Sequence, residues 1–354
     1  MINNNLAGGG QRQSNYEALR LLCMLMVLNL HSFKGFLYGS GFWQAFDFFR
    51  ESASICAVDS FILISGYFGI KWKFKSLFNL IFQMMFYSVG IYVVCVLFGI
   101  VSWSFHGFVI RFACLYRDSW GFAITYLLLY FCAPILNAFS EKTSSKELLF
   151  SIVVFFIVIN FISVPRHAFF TYSLVYLIGR LLSKESKSSY KLKSNAGLSY
   201  WITTIIIFLL VYFVLFRYVG INQPAVVLHW PVGLLAYDYA APLVILQAVS
   251  LFLIFSKLKF SSKFVNWCAV SCFSIYLIHM HPTIKEIGYR SFTENLYNYP
   301  VYQHILYLLA LFVLVFFGSI LVDQVRIIAS KGCYAIVEKV ELYIKRHLAK
   351  LIKS

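Results

Sequence analysis

Charge is scarce in this sequence. Only 12% of its 354 residues are charged, where a soluble globular chain carries about a quarter. Acidic residues are scarcer still, 14 against 30 Lys and Arg, for a net charge of +16. The shortage excludes an ordinary soluble fold. The positive balance would suit a nucleic acid, but the basic residues sit in short clusters between apolar segments and form no groove, which argues against that partner. No Cys-x-x-Cys occurs among the eight cysteines. Cys268 and Cys272 share a helix face, yet no His or acid at zinc spacing completes a set, so no metal is expected and all eight read as small buried hydrophobes. No small-residue cleavage site follows the first apolar segment, which therefore reads as an uncleaved helix. A Gly-rich phosphate loop, a Gly-x-Ser-x-Gly motif and paired carboxylates within one motif are all missing, so the common signatures of nucleotide and hydrolase chemistry do not apply.

What the chain has is apolar length: 60% of it is hydrophobic and 19% aromatic. Ten apolar segments are read, at 17–37, 53–70, 77–101, 121–139, 148–164, 167–182, 200–219, 232–256, 265–282 and 305–328. The expected fold is an all-α polytopic membrane protein with about ten transmembrane helices. With the amino terminus placed in the cytoplasm, 21 Lys and Arg fall on the inner side and 8 on the outer. That bias predicts both termini inside and an even helix count. Residues 1–14, with Asn3-Asn4-Asn5 and Gly8-Gly9-Gly10, read as a disordered cytoplasmic tail. Residues 15–328 form the membrane domain, and 329–354 a basic amphipathic tail on the inner surface. No internal repeat is seen, which weighs against inverted-repeat transporter folds.

A few polar side chains break the apolar runs. Arg20 and His31 lie eleven positions apart in the first helix, roughly 16 Å of rise and about 20° of rotation, so both look out from one face. Ionisable groups at membrane depth are costly and normally face a bundle interior or a wet cavity. Asp59 in the second segment lies within about a turn of the depth of His31. A carboxylate there would fix one imidazole nitrogen and raise the basicity of the other; a packing role is the competing reading. Ser65-Gly66 gives a small surface that a helix or an extended ligand could approach. Lys71, Lys73 and Lys75 follow at the inner surface, where they obey the topology rule and could also meet donor phosphates. His279 and His281, with Tyr276, end the ninth segment. The two histidines point to different faces, so they are no helical metal pair; one of them borders the site from outside, or both simply end a helix before Pro282. The residues alone leave an enzyme and a transporter open.

Together these motifs resemble the membrane-bound acyltransferase 3 family, the bacterial polysaccharide O-acetyltransferase type. The likeness runs from about Asn15 to about Asp323. Three pieces carry it: Leu19-Arg20 with His31, Val58-Asp59-Ser60-Phe61 with Ser65-Gly66-Tyr67, and Asn266-Trp267 with Tyr276-Leu277-Ile278-His279. The chain departs from the family in one place. An Arg-x-x-Arg pair often follows the Ser-Gly motif, and here only lysines stand there; lysine keeps the charge and loses the bidentate fork. The resemblance implies a multi-pass protein of the bacterial inner membrane. It would move an acyl group, acetyl first of all, from acyl-CoA as co-substrate to a hydroxyl of a surface polysaccharide or lipid-linked glycan. It implies no permanently bound cofactor. His31 would be the general base and Asp59 its orienting partner. Arg20, Ser65, Gly66, Lys71, Lys73 and Lys75 would hold the donor, with His279 and Tyr276 toward the acceptor. The rival is a transporter or polysaccharide exporter whose path is lined by Arg20, His31 and Asp59.

Overall fold

In the computed structural model each of the ten apolar segments holds a helix. The structure describes residues 13–38, 40–113, 120–161, 168–185, 194–223 and 231–351, with side chains through Gly332. The expected tail over 1–14 lies almost wholly outside the described residues, as do the side chains from 333 onward of the basic amphipathic tail expected over 329–354. Among the described residues there is no strand. The helices are α1 Ser14–Ser32, α2 Gly41–Ser54, α3 Ala57–Phe68, α4 Phe74–Leu97 and α5 Phe105–Ala113. Then come α6 Gly121–Lys142, α7 Ser145–Phe161, α8 Ala168–Lys184, α9 Ala196–Phe208 and α10 Pro231–Ala236. The series ends with α11 Pro242–Lys257, α12 Lys263–Val270, α13 Cys272–His279, α14 Ser291–Asn295 and α15 Val301–Leu351. A π-helical stretch, Leu209–Tyr218, prolongs α9, and a second, Ile284–Arg290, leads into α14.

Among the described residues, four helices are long and apolar enough to cross a bilayer: Phe74–Leu97, Gly121–Lys142, Ala196–Tyr218 and Val301–Gly332. The pair Lys263–His279 and Ile284–Asn298, bent by 96°, makes a fifth if it is one broken span. The other segments expected to span are shorter or more polar. α3 has 12 residues and α11 has 16, about 18 and 24 Å of rise against a hydrocarbon core of about 30 Å. Pro242 stands in the first turn of α11, where its missing N–H is harmless. The same proline keeps the apolar run 232–256 from forming one helix. α1 has 19 residues but carries Glu17, Arg20 and His31. At the other end, α15 does not stop near 328 but continues unbroken to Leu351.

The core forms where α1, α3, α8, α11 and α13 meet, around buried Leu19, Leu28, Ile62, Val175, Val244 and Ile275. α3 and α8 touch backbone to backbone. A Cβ added at Gly66 would lie 2.2 Å from the Tyr176 carbonyl oxygen, and one at Gly179 would lie 2.5 Å from that of Leu63. Gly66 thus packs between two helices, one of the two uses its small surface allowed, and it does not line the cavity at Arg20. Gly66→Ala is expected to cost at least about 1–3 kcal/mol through overpacking. The check is thermal unfolding of the detergent-purified protein, with Gly90→Ala as the control. A Cβ at Gly90 meets nothing within 4 Å, and alanine there is the better helix former.

Candidate active site

On α1 the residues Arg20, Met24, Val27 and His31 recur at spacings of four, three and four, one helical stripe. The amino-terminal end of this helix is fixed by polar contacts. Ser14 Oγ donates to Asn266 Oδ1 at 3.0 Å, and Asn15 Nδ2 donates to the Phe255 carbonyl at 3.0 Å. The stripe borders two cavities. The first, about 300 Å³, is lined by Arg20, Ser65, Ser76, Asn79, Gln83 and Tyr126 among others. The second, about 320 Å³, is lined by His31, Thr125, Tyr172, Tyr239 and Tyr276 among others. Met24, Phe61 and Phe122 belong to both walls. One face of α1 therefore presents Arg20 and His31 to adjoining spaces with three apolar side chains between them.

His31 has one close partner. Its Nδ1 lies 2.8 Å from His279 Nε2. His279 Nδ1 lies 2.6 Å from the Ile275 carbonyl oxygen, which can only accept, so Nδ1 of His279 carries the proton. With both rings neutral, His279 Nε2 must then accept, and His31 Nδ1–H must donate to it. This fixes the tautomer of His31 and leaves its Nε2 with a lone pair. Tyr276 and Tyr289 hold the His279 ring by aromatic contact, with centroids 6.0 and 5.4 Å away. Tyr289 Oη also donates to the Leu28 carbonyl at 2.6 Å, tying the same group to α1.

The hydrogen-bond partner of His31 is therefore His279 and not Asp59. Asp59 is fully buried, and neither of its carboxyl oxygens has a hydrogen-bond partner. Counting turns along two helices gave its depth; depth does not give the direction in which a side chain points. Arg20 donates to both carboxyl oxygens of Glu17, at 3.0 and 3.1 Å. A third of its side chain remains accessible (34%), so the guanidinium keeps capacity for an anion in the first cavity. Ser65 lines that cavity and not the one at His31; its hydroxyl donates to the Phe61 carbonyl at 3.0 Å. Lys71, Lys73 and Lys75 do not line it. Their backbone is pinned where α3 passes into α4: Tyr176 Oη accepts from Ile70 N at 2.8 Å, and Tyr130 Oη accepts from Lys73 N at 3.0 Å. This puts the lysines just before the α4 wall that supplies Ser76, Asn79 and Gln83. His281 belongs to another place, with Nε2 3.4 Å from the Ser88 carbonyl.

Three features of the site were not read from the sequence. Gln83 is buried on the wall of the first cavity, and its Nε2 has no hydrogen-bond partner. Asp323 and Arg326 form a buried ion pair on α15, with Arg326 Nε 2.7 Å from Asp323 Oδ1. Tyr87 donates to Asp323 at 2.6 Å, and Arg326 reaches Asn79 at 3.2 Å. The i,i+3 spacing of an acid and a base inside the last apolar segment was the available signal. The third feature is Arg50 of α2. Its Nη1 donates to the Asn29 carbonyl at 3.1 Å, to Asn29 Oδ1 at 2.6 Å and to Ser32 Oγ at 2.7 Å. It thereby clamps the last turn of α1 on both sides of His31, and its charge meets Asp47. Arg50 is a positioning residue. Arg50→Met is expected to lower kcat by about 10²-fold, as small misplacements of a reacting group do, with KM nearly unchanged. Arg50→Lys should not restore it, because a single ammonium cannot make the forked set of bonds.

Apolar helices enclosing the half-buried His31 and the buried His279 beside two cavities define a helical membrane protein. The profile of the acyltransferase 3 family, described as an acyltransferase domain, matches residues 14–323. The chain belongs to that family, and is a multi-pass membrane acyltransferase. Neither the curated proteins nor the solved structures hold a significant match.

Proposed function

We propose that the protein transfers an acyl group, acetyl first of all, from acyl-CoA to a hydroxyl of a surface polysaccharide or lipid-linked glycan. The observation that carries the reading is the relay from the Ile275 carbonyl through His279 to His31, which leaves His31, a residue of a cavity wall, with one basic nitrogen, Nε2. That nitrogen takes the proton of the acceptor hydroxyl as the oxygen attacks the thioester carbonyl. The thiol of CoA leaves and the ester remains on the sugar.

The donor enters from the end of α1 that carries Arg20. Its phosphates meet Arg20 and the lysines at 71, 73 and 75, and the pantetheine arm runs past Met24, Phe61 and Phe122 to His31. The rise of about 16 Å between Arg20 and His31 suits that arm. A further cavity of about 900 Å³, almost wholly apolar, lies on the other side of His279 against α15. It suits a hydrocarbon chain and favours a lipid-linked acceptor. In this reading the protein sits in the bacterial inner membrane with about ten spans and both termini inside.

The test is the O-acetyl content of the host's surface polysaccharide, read by proton magnetic resonance in wild type, a deletion strain and the complemented deletion. Acetyl signals should vanish on deletion and return on complementation. An unchanged polymer would reject this acceptor, and loss of the whole polymer would favour export.

A further inference from the structure

A separate pocket of about 140 Å³ lies beyond the carboxy-terminal end of α1, between α2 and the start of α15. Its walls include Trp43, Phe46, Asp47, Arg50, Tyr299 and His304. At this size it holds one small ring and not a ligand of the usual drug-like volume. Two sides are aromatic. The Trp43 and His304 rings are nearly parallel, with centroids 5.7 Å apart and planes 15° apart, and the Tyr297 ring meets the edge of His304 at 4.9 Å. A third side is polar and firmly held, since Asp47 accepts from Arg50, from Tyr297 Oη and from the Lys34 amide.

The chemistry of these walls selects a ligand. The charge is already balanced: Arg50 is matched by Asp47, and its remaining donors are spent on the end of α1. An anion therefore finds no unpaired cation in this pocket. His304 donates through Nδ1 to the Leu296 carbonyl at 3.1 Å, so as a neutral ring it keeps an acceptor lone pair on Nε2 for a hydroxyl. The faces of the aromatic rings are electron-rich and attract the slightly positive C–H bonds of a pyranose ring. Aromatic platforms combined with hydroxyl acceptors and no net charge describe a site for a neutral sugar ring.

The geometry points to this pocket as an acceptor subsite that holds one neutral sugar residue of the glycan, coupled through Arg50 to the turn of α1 that carries His31. The inference rests on the acyltransferase reading for the identity of the glycan. The pocket lies at the His31 end of α1, opposite the Arg20 end. Donor and acceptor then approach the imidazole pair from opposite ends of one helix. Arg50, which shares the wall with the sugar and bonds to Asn29 and Ser32, is the physical link between an occupied subsite and the placement of the base.

The experiment is saturation-transfer magnetic resonance on the full chain in nanodiscs. The probe is a set of oligosaccharides released from the host's own surface polysaccharide and freed of acyl groups with alkali. Wild type should transfer saturation to one residue of the probe. Trp43→Ala and Tyr299→Ala should weaken binding by about tenfold or more, as loss of an aromatic anchor does. Trp43→Phe, which keeps a platform, should bind nearly as wild type. Trp201→Ala, which removes an exposed tryptophan of α9, is the control and should bind as wild type. Tyr299 is 48% exposed, so its truncation reports on binding even if Trp43→Ala fails to fold. No transfer to wild type, or equal transfer to Tyr299→Ala and wild type, overturns the subsite. Loss of binding in the two alanine variants, in a protein that moves no acyl group from acetyl-CoA, upholds the subsite and rejects the acyltransferase reading.

Discussion

Replacing His31 by alanine is expected to lower acyl transfer by about 10²–10⁴-fold, the usual contribution of a positioned general base. The expectation follows from where the protons sit. Nδ1–H of His31 is committed to His279 at 2.8 Å, so Nε2 is the basic site left to an incoming hydroxyl. His31→Gln sharpens the test. Its side-chain N–H can still donate toward His279 and hold the fold, but glutamine has no basic lone pair. Both variants should insert and express as wild type and be equally inactive. Initial rates with labelled acetyl-CoA in isolated membranes give the comparison. If His31→Gln kept more than about a tenth of the wild-type rate, proton abstraction by this residue would be untenable. A covalent acyl-histidine can be told apart by rapid denaturation at neutral pH without acceptor, since only a covalent route leaves label on the protein and acid, which hydrolyses acyl-imidazoles, must be avoided.

The second large effect is at His279. His279→Ala is expected to lower transfer by about 10²-fold, because the His31 ring loses the acceptor that fixes its tautomer and orientation. His279→Gln should recover at least about tenfold of that loss, since its side-chain oxygen can accept from His31 Nδ1–H. The pair acts as a unit, so the double variant His31→Ala/His279→Ala should be no worse than His31→Ala alone. Nitrogen-15 magnetic resonance of His31 gives a readout that a merely structural role would not move. Wild type should show the Nδ1–H tautomer, and His279→Ala a mixture of the two. A single unchanged tautomer in His279→Ala would show that something else orients the base.

Much of this arrangement was legible in the sequence because period and composition carry it. The spacing of Arg20 and His31 placed both on one face, and the cavities they border share three wall residues. All ten apolar segments hold helices. What could not be read was which side chain meets which across the bundle. His279 lies 248 positions from His31, and nothing local announces the pair; the sequence placed it only on the acceptor side. Asp59 was assigned from depth alone, and the imidazole nitrogen it would have bound is used by His279. Gly66 was read as a small surface open to a helix or a ligand, and the Tyr176 backbone fills it. Arg50 looked like one of eight outer basic residues, while its role depends on α2, a short helix between the first two apolar segments. The stretch 41–54 is aromatic and amphipathic, but periodicity shows only that a helix can form there and not that Arg50 reaches the end of α1.

The central claim is that His31, held by His279, moves a proton so that an acyl group passes from CoA to a sugar hydroxyl. The measurement that bears on it most directly is transfer of label from acetyl-CoA to the de-acylated host glycan by purified protein in nanodiscs, comparing wild type with His31→Gln. The account predicts labelled glycan with wild type, one thiol released per ester formed, and neither product above background with His31→Gln. Labelled glycan formed equally by both proteins would contradict it.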